Sequence, residues 1–163
     1  MGKLYKTEYV IHKHIKSPRD IHYDLRFRVG NTVKSIFTRS DWTKLPNRKL
    51  VLQAPDHEKK WLNFEGTILS KRGKEQQLVI VAKGTMEIGV TKHNNLVLHF
   101  LTDTKGNMID KVIVLVKTRH GEYLTIVPKN KKHILEQVSQ SETKASDIEK
   151  VMGKVSKEKV QIT

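Results

Sequence analysis

The chain contains no cysteine, and this absence limits the chemistry open to it. Disulfides, thiolate zinc sites and cysteine nucleophiles are all excluded. Any metal ion must therefore be held by His, Asp, Glu and water. The eight histidines of the chain become the first candidates for a metal site.

Long hydrophobic runs are also missing. No apolar stretch approaches the roughly 20 residues that are needed to span a bilayer. The first six residues, MGKLYK, lack the hydrophobic region of a signal peptide. We therefore expect a cytoplasmic protein with no membrane contact.

Acidic residues are scarce relative to basic ones. The 17 Asp and Glu against 31 Lys and Arg give a formal net charge of +14. Such a field attracts polyanions and is weakened by salt. Nucleic acid is thus the leading class of partner, and the alternative is a basic soluble protein without such a ligand.

The first 128 residues contain short apolar runs rich in Val, Ile, Leu and Thr, separated by turn sequences such as Gly30-Asn31 and His120-Gly121. This pattern predicts an all-β, mainly antiparallel fold, a compact barrel or sandwich over residues 1–128. The predicted strands are residues 9–11, 21–28, 32–38, 50–53, 78–82, 85–90, 96–101, 111–117 and 123–127.

Residues 129–163 differ in composition, because aromatics disappear and Lys, Ser and Glu dominate. We interpret them as a basic C-terminal tail. Within it, Ser146 and Glu149 resemble a capping box, which would begin a short amphipathic helix. Its apolar stripe would consist of Ile148, Val151, Met152 and Val155. The alternative is a frayed, solvated C-terminus.

Residues 21–28, IHYDLRFR, alternate strictly between apolar and polar side chains. Alternation of this kind is typical of a half-buried strand. One face would carry Ile21, Tyr23, Leu25 and Phe27 toward a core, and the other would carry His22, Asp24, Arg26 and Arg28. Side chains two apart emerge roughly 6.7 Å from each other. An imidazole and a carboxylate can therefore converge on one cation, beside a guanidinium.

Further histidines and basic residues surround this strand. His12 and His14 share a face in an extended run and could complete a His-His-Asp site suited to Mn²⁺ or Zn²⁺. A structural role for these histidines is the alternative.

His57 could act as a general acid, since an ordinary imidazole has a pKa of about 6.5. It could equally be a surface-loop histidine. Asp56 and Glu65 either orient imidazoles or are plain loop charges. Arg39, Arg48 and Lys49 either bind phosphate or form a solvated basic loop.

The order of these motifs resembles the 3′-phosphoesterase module of bacterial ATP-dependent DNA ligase D, which also occurs as a stand-alone protein. The resemblance rests on YVIHKH, HYDLRF, VKS, DHE and NFEG, and continues through KGTME to the last strands, covering about residues 8–128. The family implies a β-barrel and a Mn²⁺-dependent activity, with Zn²⁺ or Co²⁺ as other candidate metals. It removes a 3′-phosphate or a terminal ribonucleotide and leaves a 3′-hydroxyl for DNA repair.

Carried over by position, the resemblance implies that His14, His22 and Asp24 bind the metal and that Arg26 and His57 contact phosphate. The expected partners are DNA 3′ ends, including RNA-tipped ends, with a DNA ligase or polymerase beside a monomeric protein.

The chain departs from the family pattern at several positions. The loop of residues 15–21 is two residues longer, and Arg19 within it is a new candidate phosphate contact. Trp61 replaces a tyrosine. Ser40 and Lys49 replace basic residues, with Arg39 and Arg48 adjacent, and Pro55 replaces a glutamate. Two functions remain open: a metal-dependent 3′-phosphoesterase, and a catalytically weakened module that binds nucleic-acid ends.

Overall fold

Eight antiparallel strands form a closed barrel in the computed structural model, which describes residues 3–155. Strand order around the barrel is β1-β2-β3-β4-β9-β8-β7-β6, and β6 pairs with β1 to close it. The strands are β1 (Tyr5–Ser17), β2 (Asp20–Val29), β3 (Thr32–Thr38), β4 (Leu50–His57), β5 (Gly66–Leu69), β6 (Glu75–Val90), β7 (Leu96–Phe100), β8 (Val112–Lys117) and β9 (Tyr123–Ile126). The predicted all-β barrel is therefore confirmed.

The barrel is filled by one hydrophobic core to which all eight of its strands contribute. Along β2, Leu25 and Phe27 are completely buried in this core, as the alternation predicted. Gly30 adopts a positive φ of 60° in the predicted turn, and β2 pairs antiparallel with β3. The intervening polar residues of β2 therefore lie on the outer face of the barrel.

The prediction of two separate strands at 78–82 and 85–90 is wrong, because β6 runs without interruption from Glu75 to Val90. Gly84, which falls between the two predicted strands, lies within β6. A Cβ atom there would lie 2.1 Å from the carbonyl oxygen of Thr102. The glycine allows two backbones to approach closely and does not mark a turn. The short strand β5 was not predicted.

Two helices follow the barrel, α1 (Lys131–Val138) and α2 (Ala145–Met152). Ile148, Val151 and Met152 of α2 join the core. The predicted capping box at Ser146 and Glu149 is wrong: the N-cap is Lys144, whose backbone N–H donates to the Asp147 carboxylate at 2.8 Å. Sequence alone favoured Ser146 because serine caps helices far more often than lysine.

The connection between β1 and β2 is also shorter than expected. The predicted loop of residues 15–21 is mostly strand, since β1 reaches Ser17 and β2 begins at Asp20. Within residues 3–155, no helix is both long and apolar enough to cross a membrane.

Candidate metal centre

His14 and His22 lie directly opposite each other on the antiparallel strands β1 and β2. Their ring centroids are 4.5 Å apart with an edge-to-face arrangement. The same register places His12 opposite Asp24. Cross-strand pairing thus brings together polar side chains from two strands on the outer face of the barrel.

The carboxylate of Asp24 is the centre of this cluster. His22 Nδ1 donates to Oδ1 at 2.8 Å, and Arg26 Nη2 donates to Oδ2 at 3.1 Å. Burial by itself raises the pKa of Asp24, but the hydrogen bond from His22 and the charge of Arg26 outweigh it and hold that pKa well below its usual range. Asp24 is only 2% exposed and is an ionised, buried carboxylate.

His12 orients Arg26. Its Nε2–H donates to the carbonyl of Phe64 at 2.6 Å, so Nδ1 carries the lone pair that accepts from Arg26 Nη1 at 2.6 Å. Burial and the neighbouring guanidinium lower the pKa of His12 to about 4. The ring is therefore neutral at physiological pH. His12 holds the arginine in place, whereas His14 completes the His-His-Asp set.

The segment that follows β4 covers the cluster from outside. Leu62, in the 3₁₀ helix Lys59–Leu62, packs in a small apolar cluster with Val10 and Val33 on the outer face. Lys83 Nζ donates to the Leu62 carbonyl at 2.8 Å and fixes the segment to β6. The ring of Trp61 lies 5.6 Å from Arg26 Cζ. An outer barrel face becomes a dry site because this segment excludes water from it.

The residues present fit a divalent cation. His14, His22 and Asp24 each offer a ligand atom, and these atoms lie within 4.8 Å of one another. His14 Nε2 is bonded to Gln76 Oε1 at 2.7 Å, so in the neutral ring Nδ1 carries a lone pair, 3.3 Å from Asp24 Oδ2. That Nδ1 is buried and has no hydrogen-bond partner in the described part of the chain. A cation would satisfy both atoms, and two imidazoles with one carboxylate suit Mn²⁺, Zn²⁺ or Co²⁺.

Arg26 offers a position for an anion next to this cluster. Two of its nitrogens are bonded to His12 and Asp24, but Nε is buried without a partner among residues 3–155. Buried polar groups are rarely left unsatisfied, so this atom is a candidate contact for a ligand. The unsatisfied nitrogens therefore belong to the two residues, His14 and Arg26, that approach Asp24 Oδ2.

His57 is the last residue of β4, and Val33 of β3 is its register partner. Val33 also pairs with Arg28, so His57 lies on the same outer face as the cluster. Its ring is 5.5 Å from the ring of Trp61. Trp61 thus connects His57 to Arg26, and the surface-loop alternative for His57 does not hold.

The other predicted phosphate contacts are exposed side chains that lie outside the cluster. Arg39 follows β3 and is 74% exposed in its side chain, where it pairs with Asp20 at 3.1 Å. Exposed Arg48 and Lys49 precede β4, at the end of that strand opposite to His57. Exposed Arg19 lies in the turn between β1 and β2. Within residues 3–155, no hydrogen bond or ion pair joins any of these four side chains to His14, His22 or Asp24.

The carboxylates of Asp56 and Glu65 bond to a lysine and to the backbone. Asp56 Oδ2 accepts from Lys34 Nζ at 3.0 Å, and Glu65 Oε2 accepts from the Ile80 backbone at 2.8 Å. Gln76, which sequence reasoning missed, contacts His14 instead. A glutamine in a polar stretch gives no signal by itself, because its position beside His14 depends on the pairing of β1 with β6.

No family model matches the chain, and no curated protein matches it either. The fold and the site define a class in structural terms alone: a closed antiparallel barrel that carries a buried His-His-Asp cluster and an adjacent arginine on its outer face.

Proposed function

We propose that the protein is a metal-dependent phosphoesterase that acts on the 3′ ends of nucleic acids and leaves a 3′-hydroxyl. The observation that carries the proposal is the pair of unsatisfied buried atoms beside Asp24: His14 Nδ1, which suits a cation, and Arg26 Nε, which suits an anion. Hydrolysis of a phosphate ester requires positive groups that stabilise the charge on its phosphoryl oxygens, and a metal ion and an arginine both supply such charge. The net charge of +14 favours a polyanionic substrate.

His14, His22 and Asp24 would hold the divalent ion. When bound, the ion would act as a Lewis acid toward a phosphoryl oxygen. The guanidinium of Arg26 is held by His12 and Asp24 in a fixed position, so it neutralises charge on the phosphoryl oxygens without reorganising first. In hydrolysis, a water oxygen bonds to phosphorus and releases a proton to solvent while the bond between phosphorus and the 3′ oxygen breaks. His57 would give that 3′ oxygen its proton.

The resemblance to the 3′-phosphoesterase module of DNA ligase D supports the same substrate: a 3′-phosphate or a 3′-terminal ribonucleotide on DNA, with Mn²⁺ as the metal. The resemblance covers the strand pair that carries the cluster, β1 and β2. A DNA ligase or polymerase would use the resulting 3′-hydroxyl in repair.

A second candidate function is a module that binds nucleic-acid ends without turnover. Trp61 favours it, because the indole lies between Arg26 and His57, at the position where the resembled family has a tyrosine. An indole lacks the phenol hydroxyl and offers a surface on which a base can stack. Such a module would bind DNA ends in a salt-sensitive manner and release no product.

One assay separates the two functions. A fluorescent primer-template with a 3′-phosphate, and another with a 3′-ribonucleotide, are incubated with chelator-treated protein, with and without Mn²⁺. We expect product only with the metal, and none for His22→Ala. His99→Ala is the matched control, since His99 is also bonded to two carboxylates, Glu87 and Asp110, but on β7. Metal-independent release, or full activity of His22→Ala, would refute the phosphoesterase. Tight binding without product at any divalent metal would favour the end-binding module.

A further inference from the structure

Strand β5 and the start of β6 form an arm that projects from the barrel, and we refer to residues 66–77 as the basic arm. Strand β5 pairs only with β6, from Gly66 opposite Leu78 to Leu69 opposite Glu75. The pairing of β1 with β6 ends at Gln77, so Glu75 and Gln76 pair with β5 alone. Beyond this point the arm is a two-stranded hairpin.

The tip of the arm is positively charged and exposed. It carries Lys71, Arg72 and Lys74, all of them exposed, and none forms an ion pair with another described residue. By contrast, Arg39, which is also exposed, pairs with Asp20. Three cations with no partner of their own are available for an anionic ligand.

The tip also has a defined shape. Ser70 N–H donates to the Lys74 carbonyl at 2.9 Å, Gly73 N–H donates to the Ser70 carbonyl at 2.9 Å, and Lys74 N–H donates to Ser70 Oγ at 3.1 Å. Gly73 has a φ of 77°, which a glycine adopts without strain. The turn therefore presents its cations from a fixed backbone, and less conformational entropy is lost when they bind a ligand.

The base of the arm touches the metal centre. Gln76 Oε1 is 2.7 Å from His14 Nε2, and Leu78 lies opposite His14 in the register of β1 with β6. From Leu78 to Lys74 the strand advances about 13 Å. One strand of duplex DNA rises about 3.4 Å per nucleotide, so this distance corresponds to about four base pairs.

We propose that the basic arm binds the phosphate backbone of duplex DNA about four base pairs from a 3′ end that occupies the metal centre. This inference rests on the proposed function for the position of the 3′ end. The partner is a phosphodiester backbone, because three unpaired cations on a hairpin match the charge of a row of phosphates. The arm would increase affinity for a duplex without changing the chemical step.

The experiment measures binding in the absence of turnover. A 12-base-pair duplex with a 3′-phosphate and a fluorescein label is titrated with protein in EDTA, and anisotropy is recorded from 50 to 200 mM KCl. The arm variant is Lys71→Ala/Arg72→Ala. The matched control is Lys92→Ala/Arg119→Ala, which removes one lysine and one arginine from exposed positions at the far ends of β6 and β8. Thermal melting verifies that both variants fold.

We expect the arm variant to bind at least about tenfold more weakly than wild type at 50 mM KCl. Its plot of log affinity against log salt should be less steep by about 0.9 for each phosphate contact removed. The control should match wild type. Equal affinities and slopes for the arm variant and the control, or a wild-type protein that does not bind the duplex, would overturn the proposal.

Turnover distinguishes this inference from the proposed function. With Mn²⁺, kcat on a 3′-phosphorylated dinucleotide should be the same in the arm variant and wild type, because that substrate is too short to reach the tip. If wild type hydrolyses neither the duplex nor the dinucleotide but the arm variant loses duplex affinity, the proposed function fails, and the part of the proposal that stands is the binding of the arm to the phosphate backbone. If wild type is active and the arm variant binds the duplex normally, only the arm proposal fails.

Discussion

Lys34 and Glu149 form an ion pair between the barrel and α2, with 2.9 Å between Nζ and Oε1. The lysine side chain is completely buried. Its ammonium group also donates to Asp56 Oδ2 and to the Gly153 carbonyl, each at 3.0 Å. One lysine of β3 thus uses three acceptors to fasten the end of α2 to β4, next to His57.

Lys34→Met should lower the free energy of unfolding by about 3 kcal/mol, because the substitution leaves the carboxylates of Asp56 and Glu149 without their cation. Urea unfolding monitored by circular dichroism gives the value. Lys154→Met is the matched control, since Lys154 is exposed on the same segment. Equal unfolding midpoints for the two variants would contradict a stabilising role for this contact.

Asp24→Asn should weaken the binding of Mn²⁺ or Co²⁺ by at least about a hundredfold, because it removes the negative charge of the carboxylate whose two oxygens the imidazoles approach. Isothermal titration calorimetry measures the affinity, and the visible spectrum of Co²⁺ reports its ligands. Asp110→Asn serves as control, since Asp110 is bonded to His99 on another part of the barrel. The metal centre is misassigned if both variants bind the ion as wild type does.

Trp61→Tyr should increase turnover by about tenfold relative to Trp61→Phe. Both variants place a six-membered ring near Arg26 and His57, but only tyrosine adds a hydroxyl that can donate a hydrogen bond to a phosphate. Steady-state kinetics on the 3′-phosphorylated primer measures the ratio. A ratio near one would show that this position contributes packing alone.

Stability should fall in alkaline solution as the tyrosines of the core ionise. Burial raises the pKa of Tyr123 to about 12, from an ordinary value of 10. The phenol is therefore favoured in the folded state, and its contribution is complete below pH 10 and lost as the pH rises toward 12. The free energy of unfolding should fall by about 3 kcal/mol at most through this ionisation. The midpoint of urea unfolding should decline less steeply between pH 9 and 12 for Tyr123→Phe than for wild type. The same decline in both proteins would contradict a contribution of Tyr123 to the loss of stability.

Local sequence patterns were sufficient where neighbouring residues decide the structure. Alternation in residues 21–28 and the turn at Gly30 correctly predicted β2, its hairpin with β3, and the face that carries His22 and Asp24. The errors arose where distant residues decide. The predicted strands 78–82 and 85–90 left Gly84 out, because the close approach that explains this glycine is to Thr102, on another part of the chain. Strand β5 is paired with β6, a partner that its own short sequence does not reveal.

The sequence by itself determined the barrel and the side of β2 on which the polar residues stand, because a strand has a side-chain period of two. It could not determine that this outer face would be buried. The tertiary structure decided this, by placing Leu62 and Trp61 over the cluster and by pairing His14 with His22. Burial removes the water that would otherwise satisfy His14 Nδ1 and Arg26 Nε, and for that physical reason a row of polar side chains becomes a candidate site for a cation and a phosphate.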